Sequence, residues 1–300
     1  MDSSQPSATA LSATLLRAAH LLVDDAPPVF VDEFAMPLCG ARDTAHLRMM
    51  LTALQDEAAR YVGAAHADSV LRAVRAAVLI RSRYTEEVVE ASLTHGITQY
   101  VILGAGLDSF AYRRRALVDQ LRVFEVDHPA TQAVKRERLC ALSVPLPAQL
   151  TFVPLDFAQD TVMGALRAGG YRADEPAVFS CLGVSQYLPV TIQHMLLTQL
   201  ASAAPGSVLL WGYLVPESLL DDDNRRVRAC LRAITAARGE PILTDWTPME
   251  MRAQLQTSGW TEVTDLGAES ALAAYTVGRT DGLQHPQTHR LIHAFVAACR

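Results

Sequence analysis

Three short segments of this 300-residue chain carry residue types and spacings suited to gripping a small ligand. The first, VILGAGLDS at 101–109, puts Gly104, Ala105 and Gly106 directly after a run of strand-forming residues. Glycine there permits a tight turn and lets backbone approach a ligand where a Cβ would collide. Ser109 occupies the third glycine place of the dinucleotide fingerprint G-x-G-x-x-G, which weakens a pyrophosphate-binding reading and leaves it open. The second segment is FEVDHP at 124–129. An acid at the end of a second strand, roughly twenty positions after the glycines, is placed to accept hydrogen bonds from ribose hydroxyls. Glu125 and Asp127 point to opposite faces of such a strand. Asp127 lies nearer its carboxyl end, where open α/β sheets bind ligands, so it is the residue selected, with His128 beside it. The third is PLDF at 154–157, where Asp156 can accept from an adenine amino group and Phe157 can lie against the base. Asp156 serves equally well as the cap of a following helix. In this order the segments describe an adenosine site, and a fourth, FSCLGVSQYLP at 179–189, would deliver its tip to the reacting end of the ligand.

The elements that must position these residues follow from the pattern around them. The first hundred residues read as helical at 8–23, 44–62 and 69–83, interrupted by the Pro27–Pro28 turn. Short apolar runs then appear at 100–103, 122–126, 150–153, 177–180 and 207–212, alternating with helix-forming stretches at 130–140, 161–168 and 191–201. Strands and helices in that rhythm predict a doubly wound, mostly parallel α/β sheet. Each strand is nearly all apolar, as helices on both faces require. An amphipathic helix starting near Asp223, a helix at 248–258 ending at Gly259, and late strands at 261–265 and 273–278 would close a seven-stranded sheet. This divides the chain into an N-terminal helical extension or lid, 1–95, packed on a ligand-binding core, 96–300, with a helical insertion at about 217–247.

Bulk properties narrow the partners. A 50% hydrophobic content supports a large core, and no Gly/Ser/Pro-rich linker divides it. A net charge of −6, with both signs interspersed, argues against nucleic acid or an anionic membrane as the main partner. The N-terminus has no basic, then apolar, signal pattern, and no apolar run approaches the roughly twenty residues of a membrane span. Five scattered cysteines (Cys39, Cys140, Cys181, Cys230, Cys299) without a CxxC pair read as buried free thiols of a reducing cytoplasm. His285, His289 and His293 fall at i, i+4 and i+8 of an expected C-terminal helix and read as its solvated face, with no metal assigned.

Taken together, the run 81–189 resembles the leucine carboxyl methyltransferase family, in particular its bacterial branch of S-adenosylmethionine-dependent methyltransferases. The matching elements are IRSRYTEEVVEA, QYVILGAGLDSFAYR, VFEVDHPATQAVKRERL, FVPLDF and LGVSQYLP, with fainter likeness through LLWGYLVP and DWTPMEMRAQLQTSGWTEV. The resemblance implies a class I, Rossmann-like methyltransferase fold with S-adenosyl-L-methionine as cofactor. It implies that Arg81 pairs with the carboxylate of the cofactor's methionine, Arg83 being a competing candidate. Gly104 and Gly106 would be its loop glycines, Asp127 the ribose acid, and Asp156 with Phe157 the adenine pair. One departure stands out: many members have Glu before the glycine of the fourth segment, whereas this chain has Leu182 before Gly183. Another group or backbone carbonyls must then hold the methionine ammonium.

Methyl transfer from a sulfonium needs alignment and exclusion of water more than proton transfer. A carboxylate acceptor, of a small metabolite or a peptide C-terminus, is already ionised and needs no base. A phenol or hydroxyl acceptor would profit from one, for which His128 and Tyr187 are at hand. No catalytic residue is therefore assigned. The rivals are a hydroxyl or phenol O-methyltransferase, a non-catalytic cofactor-binding protein favoured by Leu182, and an NAD-dependent oxidoreductase.

Overall fold

The computed structural model of the chain describes residues 7–297, so Cys299 lies outside the described residues. Helices come first: α1 (Ala8–Val23), α2 (Ala35–Leu38), α3 (Thr44–Val62) and α4 (Ala64–Thr94). Ser7 and Asp43 cap α1 and α3 by accepting from the backbone N–H groups of Ala10 and His46. The third helix of the sequence pattern, 69–83, is the middle of α4, which runs for 31 residues. It starts immediately after Gly63, whose φ of +80° breaks it from α3. It continues through TEEVVEASLT because Thr85, Glu86, Val89 and Ser92 are buried, a tertiary effect that local propensity does not show.

The α/β part follows: β1 (Gln99–Leu103), α5 (Phe110–Arg113), α6 (Arg115–Val118), β2 (Arg122–Asp127), α7 (Pro129–Ala141), β3 (Leu150–Pro154) and α8 (Val162–Ala168). Then come β4 (Val178–Cys181), α9 (Val190–Leu200), β5 (Val208–Leu214), α10 (Asp222–Ala237), α11 (Pro248–Ser258), β6 (Trp260–Leu266) and β7 (His289–Val296). The seven strands form one sheet in the order β3-β2-β1-β4-β5-β7-β6. β1 to β5 run parallel, and β7 is antiparallel to β5 and β6. Within β1, Val101 and Leu103 enter the core on one face of the sheet, and Tyr100 and Ile102 the core on the other. This two-sided burial makes the strand apolar throughout. A third apolar cluster lies among α1, α3, α4 and α10. The doubly wound, mostly parallel seven-stranded expectation is met.

Two expectations are corrected. Residues 273–278 are not a strand; Ala271–Thr276 is a 3-10 turn that buries Leu272 against the sheet and sends the Tyr275 hydroxyl to Glu87. The closing strand is instead His289–Val296, where a C-terminal helix had been expected. Its Arg-Leu-Ile-His-Ala-Phe-Val run is rich in β-branched and aromatic residues, and pairing with both β5 and β6 overrides the helical spacing of the histidines. Of the cysteines, Cys39, Cys181 and Cys230 are buried free thiols, whereas Cys140 is exposed. Among the described residues no helix is long and apolar enough to cross a membrane.

Candidate active site

The sheet reverses its direction of growth at β1, with β2 and β3 on one side and β4 and β5 on the other. Loops leaving the carboxyl ends of β1 and β4 therefore part and leave a crevice. A cavity of about 710 Å³ occupies it, within the size range of small-molecule sites. Arg81, Gly104, Ala105, Gly106, Asp127, His128, Asp156, Phe157 and Leu182 all lie on its wall.

The glycine loop is tied to β2, because the N–H groups of Gly104 and Ala105 both donate to the Val126 carbonyl, at 2.8 and 3.1 Å. Gly104 has φ +68°, and a Cβ there would overlap the Val184 side chain. Both conditions select glycine. The Asp127 carboxylate accepts from the Gly106 N–H and, at 2.6 Å, from the His128 N–H. Burial raises its pKa, and those two bonds oppose the rise. His128 caps α7, its Nδ1 accepting from the Ala130 N–H at 3.3 Å. Glu125 turns to the other face, in a buried 2.6 Å ion pair with Lys135.

Asp156 accepts from the Ala158 N–H and the Gln159 side-chain amide, each at 2.9 Å. It closes its own turn; the N-cap of α8 is Thr161. Phe157 packs on the edge of the core beside the cavity.

Arg81 and Arg83 are separated by α4 geometry. Residues two apart on a helix diverge. Arg83 is exposed and pairs with Glu87 at 2.5 Å. Arg81 follows Leu71, Val74 and Val78 along one stripe of α4 that lines the cavity. Among the described residues its guanidinium has no ion pair and no hydrogen bond. Burial lowers its pKa to about 10, so it remains a cation at neutral pH. It lies against the backbone of Gly183, where φ is +72° and a Cβ would stand 2.5 Å from Nη2. Leu182 packs into the core and offers no polar atom from its side chain.

Comparison with known proteins interprets this geometry. The profile of the leucine carboxyl methyltransferase family matches residues 10–201. The chain belongs to the leucine carboxyl methyltransferase family. YktD of Bacillus subtilis (strain 168), a candidate S-adenosyl-L-methionine-dependent methyltransferase, is 36% identical over 219 residues, 72% of this chain and 71% of its own. Rv3787c of Mycobacterium tuberculosis (strain ATCC 25618 / H37Rv), of the same description, is 34% identical over 233 residues, 77% of this chain and 72% of its own. The chain is an S-adenosylmethionine-dependent methyltransferase, and the oxidoreductase and non-catalytic alternatives fall away. Two crystal structures share the fold over nearly their whole lengths. A candidate methyltransferase from Thermobifida fusca YX has a TM-score of 0.57 at 17% identity, covering 99% of this chain and 97% of its own. A DUF574 family protein from Streptomyces avermitilis MA-4680 has a TM-score of 0.59 at 15% identity, covering 98% and 99%.

The cavity also holds residues that the sequence reading did not select. His289, at the first position of β7, reaches it from beside β5. Its Nδ1 shares a 2.8 Å hydrogen bond with the Thr288 hydroxyl, and burial keeps the ring neutral. His285 is buried with a pKa lowered to about 4, and His293 meets the Tyr84 hydroxyl at 2.8 Å. The three histidines thus have three different environments. The first turn of α1 lies over the glycine loop; a Cβ on Gly106 would come within 3.1 Å of the Ala10 Cβ. Buried Glu240, just after α10, holds that turn by accepting from the Ala8 N–H at 2.6 Å, the Ser7 hydroxyl at 3.1 Å and the Thr9 hydroxyl.

Proposed function

We propose that this chain is an O-methyltransferase that methylates a carboxylate, using S-adenosylmethionine held between the Gly104–Gly106 loop, Asp127 and Arg81. The observation that carries the cofactor placement is Arg81, a guanidinium in the cavity wall with no anion among the described residues. A carboxylate accepting bidentately is its natural complement. Gly183 leaves room for the Arg81 guanidinium, and Gly104 for the Val184 side chain packed against the loop.

In this reading Asp127 orients the ribose. Each of its oxygens already accepts one backbone N–H and keeps lone-pair capacity for a hydroxyl. Gly106 and His128 supply those N–H groups, so the loop and the acid hold each other in place. Asp156 keeps spare acceptor capacity for an adenine amino group, with Phe157 against the ring. The backbone carbonyls flanking Leu182 and Gly104 serve the ammonium that the Leu182 side chain cannot. When bound, S-adenosylmethionine supplies a sulfonium methyl that passes to the acceptor oxygen as the carbon–sulfur electron pair returns to sulfur, leaving S-adenosylhomocysteine and a methyl ester. The helices of 1–95 and the α10 insertion act as lid and acceptor wall, shutting water out of a reaction between unlike charges. The free thiols Cys39, Cys140, Cys181 and Cys230 support a cytoplasmic setting.

The family description favours a carboxylate acceptor. A second reading, a phenol or alcohol acceptor, is favoured by the neutral His289 on the cavity wall, which could take the proton. Calorimetric titration with S-adenosylhomocysteine and NAD tests the cofactor site. The adenosylhomocysteine should bind and NAD should not, and Asp127→Ala should weaken the former about tenfold or more by removing a charged acceptor. Unchanged affinity in Asp127→Ala would remove the ribose assignment.

A further inference from the structure

Beyond the glycine loop the cavity continues between the helices. Leu16 of α1, Leu54 of α3, Leu71 and Val74 of α4, and Leu231 and Ile234 of α10 line this part. Several polar side chains of the cavity wall are already engaged within the protein. The Ser82 hydroxyl donates to the Val78 carbonyl at 2.8 Å, and the Ser12 hydroxyl to the Ala8 carbonyl at 3.2 Å. Arg17 is held by Asp32 at 2.8 Å and by the Leu107 carbonyl at 2.7 Å, and Arg238 by Glu57 at 2.5 Å. The Thr9 hydroxyl is held by Glu240, and the Thr235 hydroxyl donates to the Arg232 carbonyl at 3.4 Å. His289, also on the cavity wall, keeps hydrogen-bonding capacity among the described residues, since its one bond, to Thr288, uses Nδ1.

We infer that the acceptor is a hydrophobic monocarboxylic acid, its hydrocarbon body filling the space between α1, α3, α4 and α10 and its carboxylate at His289. The identity of the polar end rests on the carboxylate reading above; the apolar body rests on the wall alone. A peptide C-terminus fits poorly. Each of its amide groups would leave water for a wall that is largely apolar and whose polar groups are mostly engaged, at about 1–3 kcal/mol for each one left unpaired. A methylene entering the same wall gains about 0.8 kcal/mol. In the tautomer in which Thr288 donates to Nδ1, the neutral imidazole presents one N–H at Nε2, enough to orient a carboxylate.

The test is calorimetric titration of the full chain, saturated with S-adenosylhomocysteine, with straight-chain monocarboxylic acids of increasing length. Matched primary alcohols and a leucine-ended tripeptide are titrated alongside, and each is then offered as methyl acceptor to the enzyme with S-adenosylmethionine. The inference expects affinity to rise about fourfold per methylene over the middle of the series, with the tripeptide weaker than an acid of equal length. Leu71→Asp should abolish acid binding while leaving adenosylhomocysteine affinity, which also reports that the variant folds. Affinity that is flat with chain length, or a tripeptide that binds more tightly, overturns the inference. If the alcohols are methylated and the bound acids are not, the carboxylate reading fails and the apolar acceptor body stands.

Discussion

Arg81→Met separates the cofactor role of this arginine from a packing role because the two predict opposite signs. In the ligand-free protein Arg81 is a cation inside a wall, with burial lowering its pKa to about 10 and no counter-ion among the described residues. Stranding a buried charge costs several kcal/mol, but the cavity admits water to this one, so about 1–2 kcal/mol is the appropriate scale. Methionine has a similar length, fills the same channel beside Gly183, and removes that cost. The ligand-free thermal midpoint should therefore rise by about 2–6 °C. Cofactor affinity should move the other way. Loss of two charge-assisted hydrogen bonds, at about 1.5 kcal/mol or more each, weakens S-adenosylhomocysteine on the order of a hundredfold. Differential scanning calorimetry without ligand and isothermal titration in the same buffer read both quantities. A lower midpoint with unchanged affinity would refute the reasoning, since it would make Arg81 a structural residue.

Three further outcomes follow from the same geometry. Arg83→Gln should leave adenosylhomocysteine affinity within twofold by titration, because that side chain is exposed and engaged with Glu87. Gly104→Ala should lose most cofactor affinity through overlap with Val184 and the positive φ, and Val184→Ala in the same chain should recover the part due to overlap, leaving the backbone strain of about 1–2 kcal/mol. The contribution of the buried histidines to stability should be complete above about pH 6.5 and fall below it, because burial holds His285 (to about 4), His289 and His293 neutral in the fold while the unfolded chain protonates them. Each contributes up to about 1.4 kcal/mol per pH unit in that window. Urea midpoints at pH 7.5 and 5 should thus differ less in His285→Gln than in the parent, and an equal difference would contradict the assignment.

That the selected residues line one cavity was legible because their signals are local. A glycine turn at a strand tip and an acid at the next strand's end need only a few residues each, and Gly104 and Asp127 line one cavity. The choice between Arg81 and Arg83 was also available from helix geometry, since only Arg81 continues the stripe of Leu71, Val74 and Val78. The acceptor wall was not legible. Leu54, Leu71 and Ile234 have the spacing of ordinary core positions, and nothing in a single sequence marks an apolar stripe that borders a void. His289 was lost for another reason. The four-residue repeat of histidines suits a helix and one face of a strand equally, and the deciding pairing with β5 is made 75 to 87 residues away. The misplaced strand at 273–278 is the same failure reversed, a short apolar run whose burial of Leu272 is met by a 3-10 turn.

The most direct test of the central claim is a crystal structure of the chain with S-adenosylhomocysteine. The account predicts the ligand's carboxylate on Arg81, its ribose hydroxyls on Asp127, its adenine beside Asp156 and Phe157, and its sulfur facing the apolar chamber and His289. A ligand whose carboxylate is held elsewhere, with Arg81 still unpaired, would contradict it.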